Sequence, residues 1–203
     1  MKTKIAILIA LVILIFTTIS NAKTTDNGAV TLTQASHISK IEASGNVEVY
    51  LVNGYYDAVK VYHNYYSQNA FVQNEDGVLR IASYATDKLV VFVTVSDLEA
   101  ITANDNATVR SYGDAFSAKM LDITLNDDAV AQLKLDAVAA NLSVNDDARV
   151  ELAGTIGNYH LNYATSATVD SDSLRTEASR INKIEQPKTI RIAPMALRIS
   201  ASL

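Results

Sequence analysis

Four short bends carry most of the residues that could do chemistry. They read Asn104-Asp105-Asn106-Ala107, Asn126-Asp127-Asp128-Ala129, Asn145-Asp146-Asp147-Ala148 and a diverged Ala164-Thr165-Ser166-Ala167. Their alanines fall 22, 19 and 19 residues apart. If like bends stack on one another, Asp105, Asp127 and Asp146 form one column, and Asp128 and Asp147 lie beneath Asn106 in a second. Stacked strands are about 4.8 Å apart. Two carboxylates at that separation repel by roughly 0.9 kcal/mol in bulk water, and by more where the dielectric is lower. Hard oxygen ligands in such columns make Asp105, Asp127, Asp128, Asp146 and Asp147 a candidate Ca²⁺ site. The plainer reading is that each aspartate accepts a backbone hydrogen bond in an Asx-type turn.

The tyrosines are the second candidate. Seven of the ten, Tyr50, Tyr55, Tyr56, Tyr62, Tyr65, Tyr66 and Tyr84, fall within thirty-five residues. A ring with a polar tip suits a wet interface, so Tyr55, Tyr56, Tyr62, Tyr65 and Tyr66 are candidate binding residues for a sugar ring or a protein surface. The competing reading is ordinary strand tyrosine at the margin of a core.

Catalysis finds little support in the inventory. The chain has no cysteine, and His37, His63 and His160 lack metal-ligand spacing. No nucleophile elbow, phosphate-binding loop or dinucleotide fingerprint occurs. Paired aspartates such as Asp127-Asp128 could in principle cleave a glycosidic bond. Identical bends at regular spacing nevertheless read as a repeated structural solution, and a non-enzymatic protein is expected.

The elements that must hold these residues are strands. Val47, Val49 and Leu51 alternate with Glu48 and Tyr50, and Val59 and Val61 continue the two-residue period. Asn74-Glu75-Asp76-Gly77 reads as a hairpin loop between Phe71-Val72 and Val78-Ile81. Leu89–Val95 is almost continuously apolar, which predicts a strand covered on both faces. The alanine-rich stretch from Asp136 to Asn141 is too short for a stable lone helix. A recurrence near twenty residues is too short for a helical-pair repeat and matches one turn of a β-solenoid. The fold class expected is all-β: a right-handed, single-stranded β-solenoid with about twenty residues per rung and longer strands in its N-terminal part. Ser44-Gly45-Asn46-Val47 fits the same frame as Asn104–Ala107, so the coil is expected to begin near residue 38.

The N-terminus has Lys2 and Lys4, then an apolar run from Ile5 to Phe16, then Ser20-Asn21-Ala22. This is the pattern of a secretory signal peptide over residues 1–22. Without it the chain carries 15 basic and 22 acidic residues, a net charge of −7, which argues against nucleic-acid binding. No second apolar segment suggests a membrane span. The expected organisation is a linker at 23–37, a solenoid domain at 38–179 and a capping strand or tail at 180–203. The predicted location is exported: periplasm, outer surface or extracellular space.

Ile41-Glu42-Ala43-Ser44-Gly45-Asn46-Val47-Glu48-Val49-Tyr50-Leu51-Val52-Asn53-Gly54, then Asp76-Gly77-Val78-Leu79-Arg80-Ile81, then Val93–Ile101 leading into repeated bends, occur in a characteristic order. In that order residues 38–179 resemble the bacterial family described as "putative auto-transporter adhesin, head GIN domain". The bends here carry Asn-Asp-Asp or Asn-Asp-Asn where the family prefers Ser-Gly-Ser. The resemblance implies a β-solenoid-like exported domain of the cell envelope. The function expected is a binding or adhesion module presenting a flat face to a glycan or protein partner. The alternative is a structural envelope protein without a small ligand.

Overall fold

A computed structural model describes residues 30–32, 37–62 and 70–185. The leader at 1–22, Tyr65, Tyr66 and the tail beyond 185 lie outside the described residues. The described chain forms thirteen strands in one sheet: β1 (Val30–Leu32), β2 (Lys40–Gly45), β3 (Val47–Asn53), β4 (Ala58–Tyr62), β5 (Ala70–Glu75), β6 (Val78–Ser83), β7 (Leu89–Val95), β8 (Ala100–Asn104), β9 (Thr108–Ser111), β10 (Phe116–Leu125), β11 (Val130–Val144), β12 (Arg149–Ala164) and β13 (Thr168–Ile184). No helix occurs among the described residues. The all-β expectation holds.

The sheet has two arms. One runs β5-β6-β2-β8-β10, and the other runs β1-β4-β7-β3-β9. β11 joins them: Val130–Gln132 pair with β9, and Leu135–Val144 pair with β10. β12 and β13 then follow β11 in parallel along both arms, with partners 19 residues apart (Val130↔Arg149, Arg149↔Thr168). A bulge between Glu151 and Ala153 widens the second offset to 20, as in Ala153↔Ser173. The pairing skips Val138, Gly157 and Glu177, where each long strand passes from one arm to the other. The strands at 38–62 join the same frame, since Ser44 pairs with Asn104 and Glu48 with Thr108.

The core lies between the arms because one parity of each strand faces inward. β7 alternates buried and half-buried residues along its whole length, and β3 does so from Val47 to Val52. Ile41, Ile101, Ile123 and Leu142 come from one arm, and Val49, Val109, Ala131 and Val150 from the other; all belong to one buried cluster. Each fully buried Leu, Ile or Val contributes roughly 1.5–3 kcal/mol relative to exposure. The alanines that follow the bends, Ala107, Ala129 and Ala148, are fully buried where the arms converge. The stretch from Asp136 to Asn141 is part of strand β11, with Ala140 buried and Val138 exposed at the passage between arms. Asp76 and Gly77 both take positive φ and close a two-residue hairpin between β5 and β6. Tyr159 is buried with its hydroxyl unpaired, and burial pushes that phenol up to about 12.

Two positions explain how tightly the layers meet. A Cβ on Gly154, at φ +100°, would sit 2.1 Å from the Leu135 carbonyl oxygen, whereas one on Gly113, at φ +85°, meets nothing within 4 Å. Gly154→Ala is therefore expected to lower stability by about 3 kcal/mol or more, because backbone must move in addition to the strained φ. Gly113→Ala carries only the strain, about 1 kcal/mol; urea unfolding of both variants measures the difference.

Asp57 secures the entry to the sheet. Its carboxylate accepts the Ile38 N–H at 2.6 Å, the Ser96 N–H at 2.9 Å and the Ser96 hydroxyl at 3.0 Å, with His37 Nδ1 3.4 Å away. Burial pushes this carboxyl upward, but the Ile38 and Ser96 donors and nearby His37 outweigh it and hold Asp57 below the usual range. A depressed folded pKa stabilises above the unfolded value, near pH 4, and that stability is lost as pH falls through the folded value. Stability measured by urea titration between pH 6 and about pH 2.5 is expected to decline less steeply on the acid side in Asp57→Asn than in the parent.

Candidate functional site

The bends stack into two polar ladders. Asn126 Nδ2 donates to Asn104 Oδ1 at 2.7 Å, Asn145 Nδ2 donates to Asn126 Oδ1 at 2.8 Å, and Asn104 Nδ2 reaches Ser44 Oγ at 3.3 Å. Asn104 and Asn126 are thus each donor to one layer and acceptor from the next, which suits a half-buried corner. The next residue of each bend, Asp105, Asp127 and Asp146, has φ of 56°, 58° and 53°. Aspartate and asparagine tolerate this left-handed region better than most side chains. Gly45 holds the same conformation one layer earlier, at φ +76°.

These aspartates do form a column. Asp105 accepts the Gly45 N–H at 3.1 Å, Asp127 accepts the Asp105 N–H at 3.2 Å, and Asp146 accepts the Asp127 N–H at 3.3 Å. Asp105 also receives the Tyr84 hydroxyl at 3.3 Å, and its charge raises the Tyr84 pKa. Asp128 and Asp147 are exposed on the solvent side of their bends. Among the described residues no group of three or more His, Asp or Glu side chains is placed to hold a metal ion. The geometry assigns Asp105, Asp127 and Asp146 a clear task, capping a backbone N–H of the neighbouring layer.

A second constellation lies on the outer face of β4, β7, β3 and β9. An open groove of about 450 Å³ is lined by Tyr50, Tyr62, Val90, Phe92 and Tyr112. Tyr50 stacks on Phe92 with centroids 4.7 Å apart; Tyr112 stands edge-on to both, at 5.9 Å from Tyr50 and 5.1 Å from Phe92. Tyr62 meets Phe92 edge-on at 5.4 Å. The register builds this cluster: Lys60 opposes Phe92, Phe92 opposes Tyr50, and Tyr50 opposes Arg110. Lys60 Nζ lies 5.1 Å from the Tyr62 ring centre, a cation–π contact.

The same row continues as polar side chains. Arg110 Nε donates to Glu48 Oε1 at 2.8 Å, and its Nη1 donates to Gln132 Oε1. Gln132 Nε2 donates to Glu151 Oε2 at 3.0 Å. Tyr50 donates its hydroxyl to Glu48 at 3.2 Å. Desolvation among the rings, reinforced by the Glu48 charge, raises the Tyr50 pKa, so the phenol stays a neutral donor. The arrangement offers ring faces and edges beside a fixed line of donors and acceptors. Glu48 is already engaged by Arg110 and Tyr50.

Of the five tyrosines singled out from the sequence, Tyr62 is in this groove. Tyr55 and Tyr56 sit on the turn between β3 and β4, 102% and 72% exposed, and are not among its lining residues. Phe92 and Val90 come from the apolar run Leu89–Val95, whose second parity faces this groove in place of a covering layer. Tyr112 arrives from beyond β9, far from the tyrosine-rich segment.

The fold is that of an all-β module with an aromatic groove on one outer face and polar ladders at its corners. Residues 37–184 match the family model described as "putative auto-transporter adhesin, head GIN domain", and the chain belongs to that family. Its structure is similar to that of a putative adhesin from Parabacteroides distasonis (TM-score 0.57, 14% identity, covering 76% of this chain and 77% of that one). It is also similar to a putative adhesin from Parabacteroides merdae (TM-score 0.57, 13% identity, 78% of each chain). A third likeness is to a putative lipid binding protein from Parabacteroides distasonis (TM-score 0.52, 12% identity, 78% and 79%). At these identities the likeness shows a shared fold. No curated protein matches the chain.

The ladder makes a specific demand on Asp127. Asp127→Asn keeps both an acceptor oxygen and tolerance of positive φ, so the melting temperature is expected to change little. Asp127→Ala loses both and is expected to cost about 2 kcal/mol. Thermal unfolding with and without EDTA completes the comparison: equal transitions are the expected result where the carboxylate serves the backbone, and a chelator-dependent fall marks a bound cation.

Proposed function

We propose that this chain is an exported, non-catalytic adhesion module that uses the groove of Tyr50, Tyr62, Phe92 and Tyr112 to hold a glycan. The supporting observation is one cross-strand row in which stacked rings pass directly into the Arg110–Gln132–Glu151 ladder. Sugar rings present apolar C–H faces and a rim of hydroxyls. The aromatic part of the row suits the first, and the fixed polar part suits the second. Strands succeed one another at about 4.8 Å, so a row of this kind follows an extended oligosaccharide across several strands. Membership of the adhesin family and the leader-like residues 1–22 support export to the cell envelope.

We also infer the finer architecture: a right-handed coil of about twenty residues per turn. Parallel strands joined by crossovers are right-handed in nearly all known sheets, and the offset of 19 residues between paired strands supports a turn of about that length.

Isothermal titration of the mature chain against a panel of neutral and acidic oligosaccharides tests the glycan reading. Phe92→Ala and Tyr50→Ala are expected to weaken binding by about tenfold or more, and Tyr55→Ala to leave it unchanged. Glycan binding indifferent to Phe92 and Tyr50, or no binding across the panel, would sink the proposal. Retention of a protein partner lost on the same substitutions would instead favour a protein ligand.

A further inference from the structure

We propose that the end of the sheet at β13 is an interface with a second copy of this chain, formed by antiparallel pairing of two β13 strands about a two-fold axis. β13 is 17 residues long and, among the described residues, pairs with β12 and with no other strand. Every other long strand of the stack is paired on both sides: β11 lies between β12 on one side and β9 and β10 on the other. A long edge strand presents a row of backbone donors and acceptors that proteins ordinarily cover, shorten or break. Here neither proline nor glycine interrupts it, and the one bulge, between Asp170 and Ser173, lies near its start and leaves Leu174–Ile184 as a long edge with a single skipped position at Glu177. The apolar side chains that would face a further layer are incompletely covered: Val169 and Leu174 are half-buried, and Ile181 and Ile184 are 55% and 48% exposed.

The charges along β13 identify the occupant. Its N-terminal half carries Asp170 and Asp172, its middle Arg175 and Glu177, and its C-terminal half Arg180 and Lys183, all exposed. Parallel pairing with another copy sets like over like. Antiparallel pairing sets the acidic half over the basic half twice, once at each end of the two-fold interface, and brings Arg175 near Glu177 at the centre. The bend in the strand permits this. β13 runs along one arm, passes the corner near Glu177 and returns along the other. A two-fold axis through that corner, bisecting the arms, lays each arm on the opposite arm of the partner with the inward faces aligned. The pairing would cover the half-buried row of each copy with that of the other and remove both edges together.

Sedimentation equilibrium of the mature full-length chain tests this. A dimer is expected, and Arg180→Glu with Lys183→Glu should weaken it by about tenfold or more, because each reversed charge acts twice by symmetry. Adding Asp170→Lys and Asp172→Lys should restore the dimer. That rescue separates the interface from a folding defect, and the melting transition of each variant records that it is folded. A chain monomeric at all concentrations overturns the proposal, as does a dimer indifferent to all four charges. A dimer that forms only after removal of residues 186–203 also overturns it, since the tail would then be the occupant of the edge.

Discussion

The structure depends on one constraint: each layer must lie over the next with its backbone in register, so that like corner meets like corner. A single layer has no second face to bury its inward side chains against, and its backbone groups need neighbours on both sides. The corners are the vulnerable places, because there the chain leaves the ladder and its N–H groups would be stranded. The Asn104–Asn126–Asn145 amide chain and the Asp105–Asp127–Asp146 carboxylates answer that problem within two residues of each bend. Stacked carboxylates repel, by roughly 0.9 kcal/mol per neighbouring pair in water before salt screens it. A hydrogen bond to a charged acceptor contributes about 1.5–3 kcal/mol. The capping bond therefore outweighs the repulsion at corners that are only partly buried.

Register also makes the outer face. Once the inward parity of β7 is committed to Leu89, Val91, Val93 and Val95, the alternate residues must face outward, whatever their chemistry. In β7 these include Val90 and Phe92, in β3 Tyr50, in β4 Tyr62, and the pairing of the three strands gathers them. The groove is thus a consequence of the same alignment that closes the core. Its rigidity has the same source: the rings stand on strands whose other faces are fully buried, so their spacing is fixed by the backbone. A groove of that kind loses little conformational freedom when a flat ligand lies against it.

This explains what could be read from the residues and what could not. The two-residue alternation and the recurring Asn-Asp bends are local patterns, and they revealed the all-β class, the stacking of Ser44 over Asn104 and the column of Asp105, Asp127 and Asp146. The groove is assembled by non-local pairing. β4 runs antiparallel beside β7, and β3 lies between β7 and β9, relations that no spacing in the chain announces. Clustering in sequence does not map onto the groove: Tyr55 and Tyr56 are neighbours of Tyr50 along the chain and lie exposed on a turn, whereas Tyr112 is remote in sequence and adjacent in space. A useful signal was present in Leu89–Val95. A strand apolar on both parities demands a cover, and where no covering layer is available the second parity marks a surface that other aromatic residues must join.

The fourth bend shows how the stack ends. Ala164 stands where the other bends carry asparagine, so the amide chain stops at Asn145, one layer before the last strand. Thr165 stands where the others carry aspartate, and Ser166 donates its hydroxyl to the Asp146 carbonyl. The corner is still stitched to the layer before it, yet it no longer offers the donor-and-acceptor amide that a further identical layer would require. Beyond it, β13 pairs in parallel with β12 along both arms, broken by the bulge opposite Glu151–Ala153 and at the corner near Glu177, while its inward row is only half covered. A layer added from the same repeat would continue the asparagine ladder. With the amide ladder lost at the fourth bend, the last described layer is held to the one before it by strand pairing and by the Ser166 hydroxyl.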